Sequence, residues 1–352
     1  MKICREKYYY REVREDIESL VNVDGSFNFG TYNRAVSKVN MLDAKKPLGR
    51  AAPKWFLNFR LKEWEAFQAG NRDIFIFGVV YTPKISTLIC LVIYDKRNKK
   101  LYDYEKIINT KRASIGKGLF NSETKGQIKA YYMRYENNLR KNEIAVEAKM
   151  GPHDLPMAIL DIKAYHITEP IVICQPFGEN RGLYSHKNFM PMEGYLILGD
   201  EKIVFNKENS HMIIDDHKGY YPYNMKYDWV TGWGKDNSGN TFAFNLTDNQ
   251  VLDHEKYNEN CIWIDGKMNV LPPIKVERKY ENDEVWNIKD EYDMVYISFY
   301  PETKTEIKFN YLIVKSDYEA PIGSYKGYFK LGDRKIDIVE CFGMGEKKRI
   351  RI

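Results

Sequence analysis

Ile74-Phe75-Ile76-Phe77-Gly78-Val79-Val80-Tyr81, then Thr82-Pro83-Lys84, then Thr87-Leu88-Ile89-Cys90-Leu91-Val92-Ile93-Tyr94: these residues decide the fold class. Two short apolar runs, rich in β-branched and aromatic side chains and joined by a proline turn, read as a buried strand and its hairpin partner. The same grammar repeats outward. A polar turn at Asp95–Lys100 leads into Leu101-Tyr102-Asp103-Tyr104. Further strands are expected at 128–135, 143–149, 157–166, 170–174, 194–199, 202–206, 211–215, 225–233, 241–247, 260–265, 294–300, 305–315 and 325–341. Many short strands at close spacing indicate a sandwich or a meandering barrel. The best helical period lies in Arg11–Val21, where Val13, Ile17, Leu20 and Val21 fall near one face. Lys62–Gln68 fits either one or two helical turns or a strand.

Composition supports an all-β chain with a substantial core. Hydrophobic residues make up 43% and aromatics 14%, with 27 Tyr, a bias that suits pleated, half-buried surfaces. The 54 basic and 49 acidic residues leave a net charge of only +5, without the concentrated basic patch of a nucleic-acid protein. Lys347-Lys348-Arg349 with Arg351 is the one dense basic run and reads as a soluble tail. Cys4, Cys90, Cys174, Cys261 and Cys341 are far apart, with no CxxC pair, which argues against a structural zinc site and for free thiols in a reducing compartment. Met1–Lys7 has no apolar signal core, and no apolar run approaches the ~20 residues of a membrane span. The expectation is a cytoplasmic protein without membrane insertion or a nucleic-acid partner.

The two halves share an order of elements. Lys54–Phe59, Ile74–Tyr81 and Leu88–Tyr94 are echoed by Lys226–Thr231, Thr241–Leu246 and Asn260–Ile264, which ends in the turn Asp265-Gly266-Lys267. An offset of roughly 170 residues is far longer than a solenoid or propeller unit. Two β-barrels in tandem account for it, as domains 1–176 and 183–352 with a linker near Pro176–Gly182.

The stretch Asp215-Asp216-His217-Lys218-Gly219-Tyr220-Tyr221-Pro222-Tyr223, running on to Tyr227-Asp228-Trp229-Val230-Thr231-Gly232-Trp233-Gly234, mixes rings with charges as a cavity-lining strand does. Strand alternation puts His211, Ile213, Asp215 and His217 on one face, and Met212, Ile214 and Asp216 on the other. Asp215, His217 and Asp228 are the candidate acid–base groups, since a carboxylate walled by rings is desolvated and its pKa rises. The alternative is that these carboxylates bond turn amides around Gly219 and Gly232. His211, Asp215 and His217 are ligand-type residues, but a strand ending at Gly219 favours an exposed face, and no metal or cofactor is expected. Lys218, Tyr223, Trp229, Trp233, Asn245 and Asn260 are the candidate ligand-binding residues. The rings serve equally as core, and each amide equally as a structural bridge. No GxGxxG after a strand, P-loop or GxSxG elbow occurs.

Asp215…Gly219-Tyr220-Tyr221-Pro222-Tyr223…Trp229…Gly232…Gly234, Asn245-Leu246 and Glu259–Gly266 together resemble the signature of the domain-of-unknown-function family 2804. Leu20–Gly30 with Lys54-Trp55, Ser185-His186-Lys187 before Pro191–Gly194, and Gly343–Glu346 extend the resemblance along almost the whole chain. Lys218 stands where that family often has Arg, and Tyr227 where it often has Trp. The family is distantly similar to the AttH and carotenoid-hydratase group. The resemblance therefore implies two tandem lipocalin-like (calycin-like) β-barrels or half-barrels with few short helices. It also implies a small apolar or amphipathic ligand. The leading expectation is binding of such a molecule in a barrel or inter-barrel cavity. The alternatives are a hydratase or isomerase acting on it, with Asp215 or Asp228 and His217 or Tyr223 as acid and base, and a carbohydrate-active β-protein.

Overall fold

The computed structural model describes residues 9–15, 17–278, 285–310 and 315–351. It is all-β, with two curled half-barrel sheets in tandem. Two compact units are present, one of Arg14–Tyr221 and the other of Pro222–Ile352 with the first residues of the chain up to Val13. Cys4 lies outside the described residues.

In the first unit the hairpin at 74–94 is present, as strands Ile74–Thr82 and Thr87–Asp95. It continues a sheet whose spatial order is Lys100–Ile108, Thr87–Asp95, Ile74–Thr82, Lys62–Gly70, His211–Gly219, Gly182–Leu198, Ala158–Tyr165, Glu143–Met150, Tyr131–Asn138, Phe120–Ile128, Ala113–Ser114. The concave side is filled by Phe67, Val80, Ile89, Leu91, Tyr135, Val146, Leu160, Met190 and Ile214. A second apolar cluster, including Leu20, Phe27, Tyr32, Leu57, Val172, Cys174, Tyr184 and Tyr220, packs the irregular segment before residue 62 onto the sheet.

The strand Gly182–Leu198 is the hinge of this topology. Its first half pairs with Ile171–Pro176 and His211–Gly219, and its second half with Ala158–Tyr165 and Glu201–Phe205. The change of partners falls near Gly194, whose φ is +136°. A Cβ there would lie 2.1 Å from the carbonyl oxygen of Asp161, so only glycine allows the strands to approach.

Several expectations are corrected. Among the described residues of Arg11–Val21 no helix forms: Val13–Arg14 is a short strand, and Ile17, Leu20 and Val21 pack into the second cluster. Lys62–Gln68 is strand. Lys54–Arg60 is the one α-helix among the described residues, so the aromatic strand of the first half of the apparent repeat is absent. Residues 128–135 and 325–341 each straddle a hairpin turn. Phe177–Arg181, where the sequence reading places a linker, is the turn joining the paired strands Ile171–Pro176 and Gly182–Leu198, and the units divide after Tyr221.

The second unit is a nine-stranded antiparallel sheet in the order Lys267–Val270, Cys261–Ile264, Thr241–Asp248, Asn224–Asp236, Arg334–Arg351, Lys315–Leu331, Val295–Asn310, Trp286–Asp290, Ile274–Glu277. Val230, Phe244, Leu246, Ile262, Trp286, Phe299, Tyr325 and Phe329 fill its core. The basic run at the C-terminus is not a tail. It belongs to a central strand, where Arg349 bonds the Tyr227 carbonyl and the Asp228 carboxylate. Cys90, Cys174, Cys261 and Cys341 are buried. No helix of the described residues is long and apolar enough to cross a membrane.

Candidate functional site

His211–Gly219 is a central strand, paired with Lys62–Gly70 on one side and Gly182–Leu198 on the other. Alternation sends its charged residues to opposite faces of the sheet, and both faces are buried.

Asp215 and His217 share the outer face. The register places Asp215 between Lys187 and Ala66, and His217 between Ser185 and Trp64. Asp215 Oδ1 lies 3.2 Å from Lys187 Nζ and accepts from Ser185 Oγ at 3.2 Å. Its Oδ2 accepts from Trp64 Nε1 at 3.2 Å. Lys187 Nζ also donates to Ser185 Oγ at 2.6 Å. Burial pushes the Asp215 carboxyl up, but the Lys187 ammonium, His217 and the indole N–H outweigh it and hold the group well below the usual carboxylate range. Asp215 is therefore an anion at neutral pH.

His217 stands next to that anion, with Nδ1 3.8 Å from Asp215 Oδ1. Its Nε2 is hydrogen-bonded to the Tyr221 hydroxyl. The two rings are nearly parallel, at 12°. Trp64 covers them, stacked on His217 at 3.9 Å and 8° and on Tyr221 at 5.9 Å and 15°. Phe177 packs against Tyr221 from another side at 6.0 Å. Phe177 also lines a cleft of about 440 Å³ with Asp24, Lys45, Lys46, Asn180 and Arg181. A carboxylate, an imidazole and a phenol lie in series under an indole plate in a low-dielectric setting, with the imidazole–phenol step hydrogen-bonded and the carboxylate–imidazole step an ion-pair contact at 3.8 Å.

Asp216 and Lys218 point to the inner face and pair at 2.5 Å. Glu65 is opposite Asp216 in the register and is fully buried. Burial and the Asp216 charge push the Glu65 carboxyl up to about 7, against weaker opposing effects of Thr124, Asn137 and Lys218. Burial also pushes Asp216 up, while Lys218 pulls it down. Each of these two carboxyls thus favours its protonated form more than a free one does, and the charge of one affects the other. On the same strand face, His186 Nε2 lies 3.3 Å from His166 Nε2. Burial keeps both imidazoles neutral, with His166 lowered to about 4.

The structure brings together Asp215 and His217 in the first unit, where Lys218 also lies, while Tyr223, Asp228, Trp229, Trp233, Asn245 and Asn260 belong to the second. Asp228 is held by Arg278 at 3.1 Å and Arg349 at 3.0 Å. Trp229 Nε1 donates to Asn245 Oδ1 at 2.6 Å, and Asn245 Nδ2 donates to the Glu259 carbonyl at 2.8 Å. Asn260 accepts from the Thr247 N–H at 2.7 Å and donates to the Pro272 carbonyl at 2.8 Å. Both amides thus bridge strands and loops. Trp233 is buried, and Tyr223 is 46% exposed. Lys218 faces away from His217 and is occupied by Asp216. His211, which shares the outer face, stacks on Phe189 at 4.8 Å. Among the described residues no group of three or more His, Cys, Asp or Glu could hold a metal ion.

Sequence reasoning missed Tyr221, Trp64, Lys187 and Ser185. Ser185 and Lys187 alternate as Asp215 and His217 do, and that shared period was the available signal. Nothing local reveals that Trp64, 151 positions before Asp215, bonds it.

The model of the family described as Domain of unknown function (DUF2804) matches residues 10–352, and the chain belongs to that family. No curated protein sequence matches the chain significantly. Among solved structures, kievitone hydratase from Nectria haematococca is similar, with a TM-score of 0.56 and 12% identity over 92% of this chain and 98% of that one. CghA with Sch210972 is similar with a TM-score of 0.54 and 7% identity, over 83% of this chain and 88% of that one. A candidate AttH from Nitrosomonas europaea aligns at a TM-score of 0.45 and 11% identity, over 86% of this chain and 96% of that one. For kievitone hydratase and CghA, at these identities, the likeness is one of fold.

Proposed function

We propose that this member of the family is an acid–base catalyst acting on a small, largely apolar molecule, adding or removing water or shifting a double bond. The observation that carries this reading is the series Tyr221–His217–Asp215. The Asp215 anion favours an imidazole with its proton on Nδ1, which leaves Nε2 to accept from the Tyr221 hydroxyl. When Tyr221 Oη takes a proton from substrate, its own proton passes to His217 Nε2, and the imidazolium is stabilised by Asp215. In the reverse direction Tyr221 delivers a proton to carbon and His217 restores it. Trp64 shields the hydrogen bond from water and keeps the rings coplanar for transfer. Lys187 keeps Asp215 ionised, a positioning role rather than a catalytic one. One fold relative is named for a hydratase reaction, which agrees with this class.

The test is turnover of a panel of small conjugated ketones in H₂¹⁸O and D₂O, read by mass spectrometry. Wild type should incorporate ¹⁸O or deuterium, and Tyr221→Phe should be slower by about 10²-fold or more. Equal incorporation by the two proteins would sink the reading. The second reading is a carrier of an apolar ligand without chemistry, which the Trp64 ring wall supports. A carrier keeps its ligand affinity in Tyr221→Phe and shows no incorporation in either protein.

A further inference from the structure

The near balance of charge over the whole chain hides a local excess. Lys45–Lys62 carries six basic residues and no acidic one, more than the net +5 of all 352 residues. Trp55, Phe56 and Phe59 stand among those cations. Lys45, Lys46, Arg50 and Lys54 are exposed, and Arg60 is half-buried. Asp43 takes Lys54, at 3.3 Å. Lys45, Lys46 and Arg50 have no ion-pair partner among the described residues. Burial and the neighbouring Arg181 charge lower the Arg60 guanidinium, so Arg60 adds to the positive charge of the cleft that Lys45, Lys46 and Arg181 line.

The helix Lys54–Arg60 is apolar on two sides. Leu57, with Leu61 just past the helix end, is buried in the cluster that fastens this segment to the sheet. Trp55 and Phe59 are one turn apart on another face, 72% and 41% exposed. Helices that are apolar all round are normally covered all round. The hairpin turn before Thr87 extends the exposed face. Lys62 Nζ donates to the Pro83 carbonyl at 2.8 Å and lies 5.5 Å from the centre of the Phe59 ring, and Ile85, two residues past Pro83, is 68% exposed. Three large apolar side chains thus protrude on adjoining elements, beside a segment of unpaired cations. A patch of this kind marks an interaction site.

We propose that this face docks on an anionic lipid surface, with Trp55, Phe59 and Ile85 entering the headgroup region and Lys45, Lys46 and Arg50 meeting the lipid anions. Exposed aromatic and aliphatic side chains flanked by lysine and arginine suit the boundary between headgroups and acyl chains. Charge complementarity selects the occupant, because an anionic bilayer offers a dense negative surface to the unpaired cations. The protruding helix also needs no matching groove in a fluid surface. The chain adsorbs by this face and does not cross. The docking is independent of the acid–base reading.

The test is sedimentation of the full chain with vesicles of equal parts phosphatidylserine and phosphatidylcholine, against vesicles of phosphatidylcholine alone. Binding to the mixed vesicles should be about tenfold tighter or more, and should weaken as salt rises. Lys46→Gln combined with Arg50→Gln should weaken it by about tenfold. Trp55→Ala and Phe59→Ala should each weaken it by about fivefold or more, with an unchanged melting temperature. The mixed vesicles should shift tryptophan emission of the wild type to the blue, and this shift should vanish in Trp55→Phe. Absence of binding to the mixed vesicles, or binding that neither aromatic substitution weakens, would overturn the assignment. So would sedimentation equilibrium showing a dimer that Trp55→Ala turns into a monomer, or a single-stranded oligonucleotide that binds more tightly than the vesicles. If one aromatic variant does not fold, the other decides.

Discussion

Asp215→Asn is the perturbation with the largest calculable consequence. The carboxylate uses one oxygen for Lys187 and Ser185 and the other for the Trp64 N–H, all at 3.2 Å. Asparagine has a single acceptor oxygen. Turned toward Lys187, its NH₂ meets the indole N–H; turned toward Trp64, its NH₂ meets the ammonium. Either way a donor faces a donor in a buried place, and the Lys187 ammonium, 2% exposed, loses this anion. Removing one member of a buried pair costs about 3–5 kcal/mol. For a unit of this size each kcal/mol lowers the melting temperature by about 2–4 °C, so the shift should be about 10 °C. Differential scanning calorimetry at pH 7 reads it, and only the transition of the Arg14–Tyr221 unit should move. Asp215 is depressed in the folded state, so its contribution is present above the unfolded value of about 3.9 and lost as pH falls through the folded one. The gap between wild type and variant should therefore narrow below about pH 4. A shift under about 2 °C at pH 7, or a gap that does not narrow in acid, would refute the pairing.

Glu65→Gln should act with the opposite sign. The folded carboxyl is raised to about 7, so its contribution is fully present below the unfolded value of about 4.3 and is lost as pH rises through 7. The variant should gain on wild type by on the order of 2 kcal/mol between pH 5 and pH 8, and a difference independent of pH in thermal melts would contradict this. His166, lowered to about 4, and His186 should both show neutral imidazole NMR signals from pH 8 down to pH 5. As pH falls through about 6.5 the unfolded chain takes up their protons first, so they should erode stability between about pH 6.5 and 4. A titration midpoint near 6.5 for either ring would contradict their burial.

Much of the fold was legible because strand period and turn chemistry are local. The 74–94 hairpin and the two faces of His211–Gly219 follow from side-chain sequence alone. Lys54–Arg60 was misread because aromatic residues serve helix and strand alike, and the sequence reading did not weigh Pro53, which stands immediately before the helix. The site was legible by halves. Asp215 and His217 came from alternation, whereas Tyr221 was passed over for Tyr223, which is half exposed. Tyr221 follows the strand, beyond the reach of its period, and only the fold returns its hydroxyl to His217. Glu65 looked like an ordinary member of an ambiguous segment, because burial by distant strands leaves no local trace.

The proton state of His217 tests the account most directly. In protein carrying ¹⁵N-histidine, long-range ¹H–¹⁵N NMR at pH 7 distinguishes the two ring nitrogens. The relay predicts a proton on Nδ1 and an unprotonated Nε2 whose resonance moves in Tyr221→Phe. A proton on Nε2, or an Nε2 signal unchanged by removal of the Tyr221 hydroxyl, would contradict it.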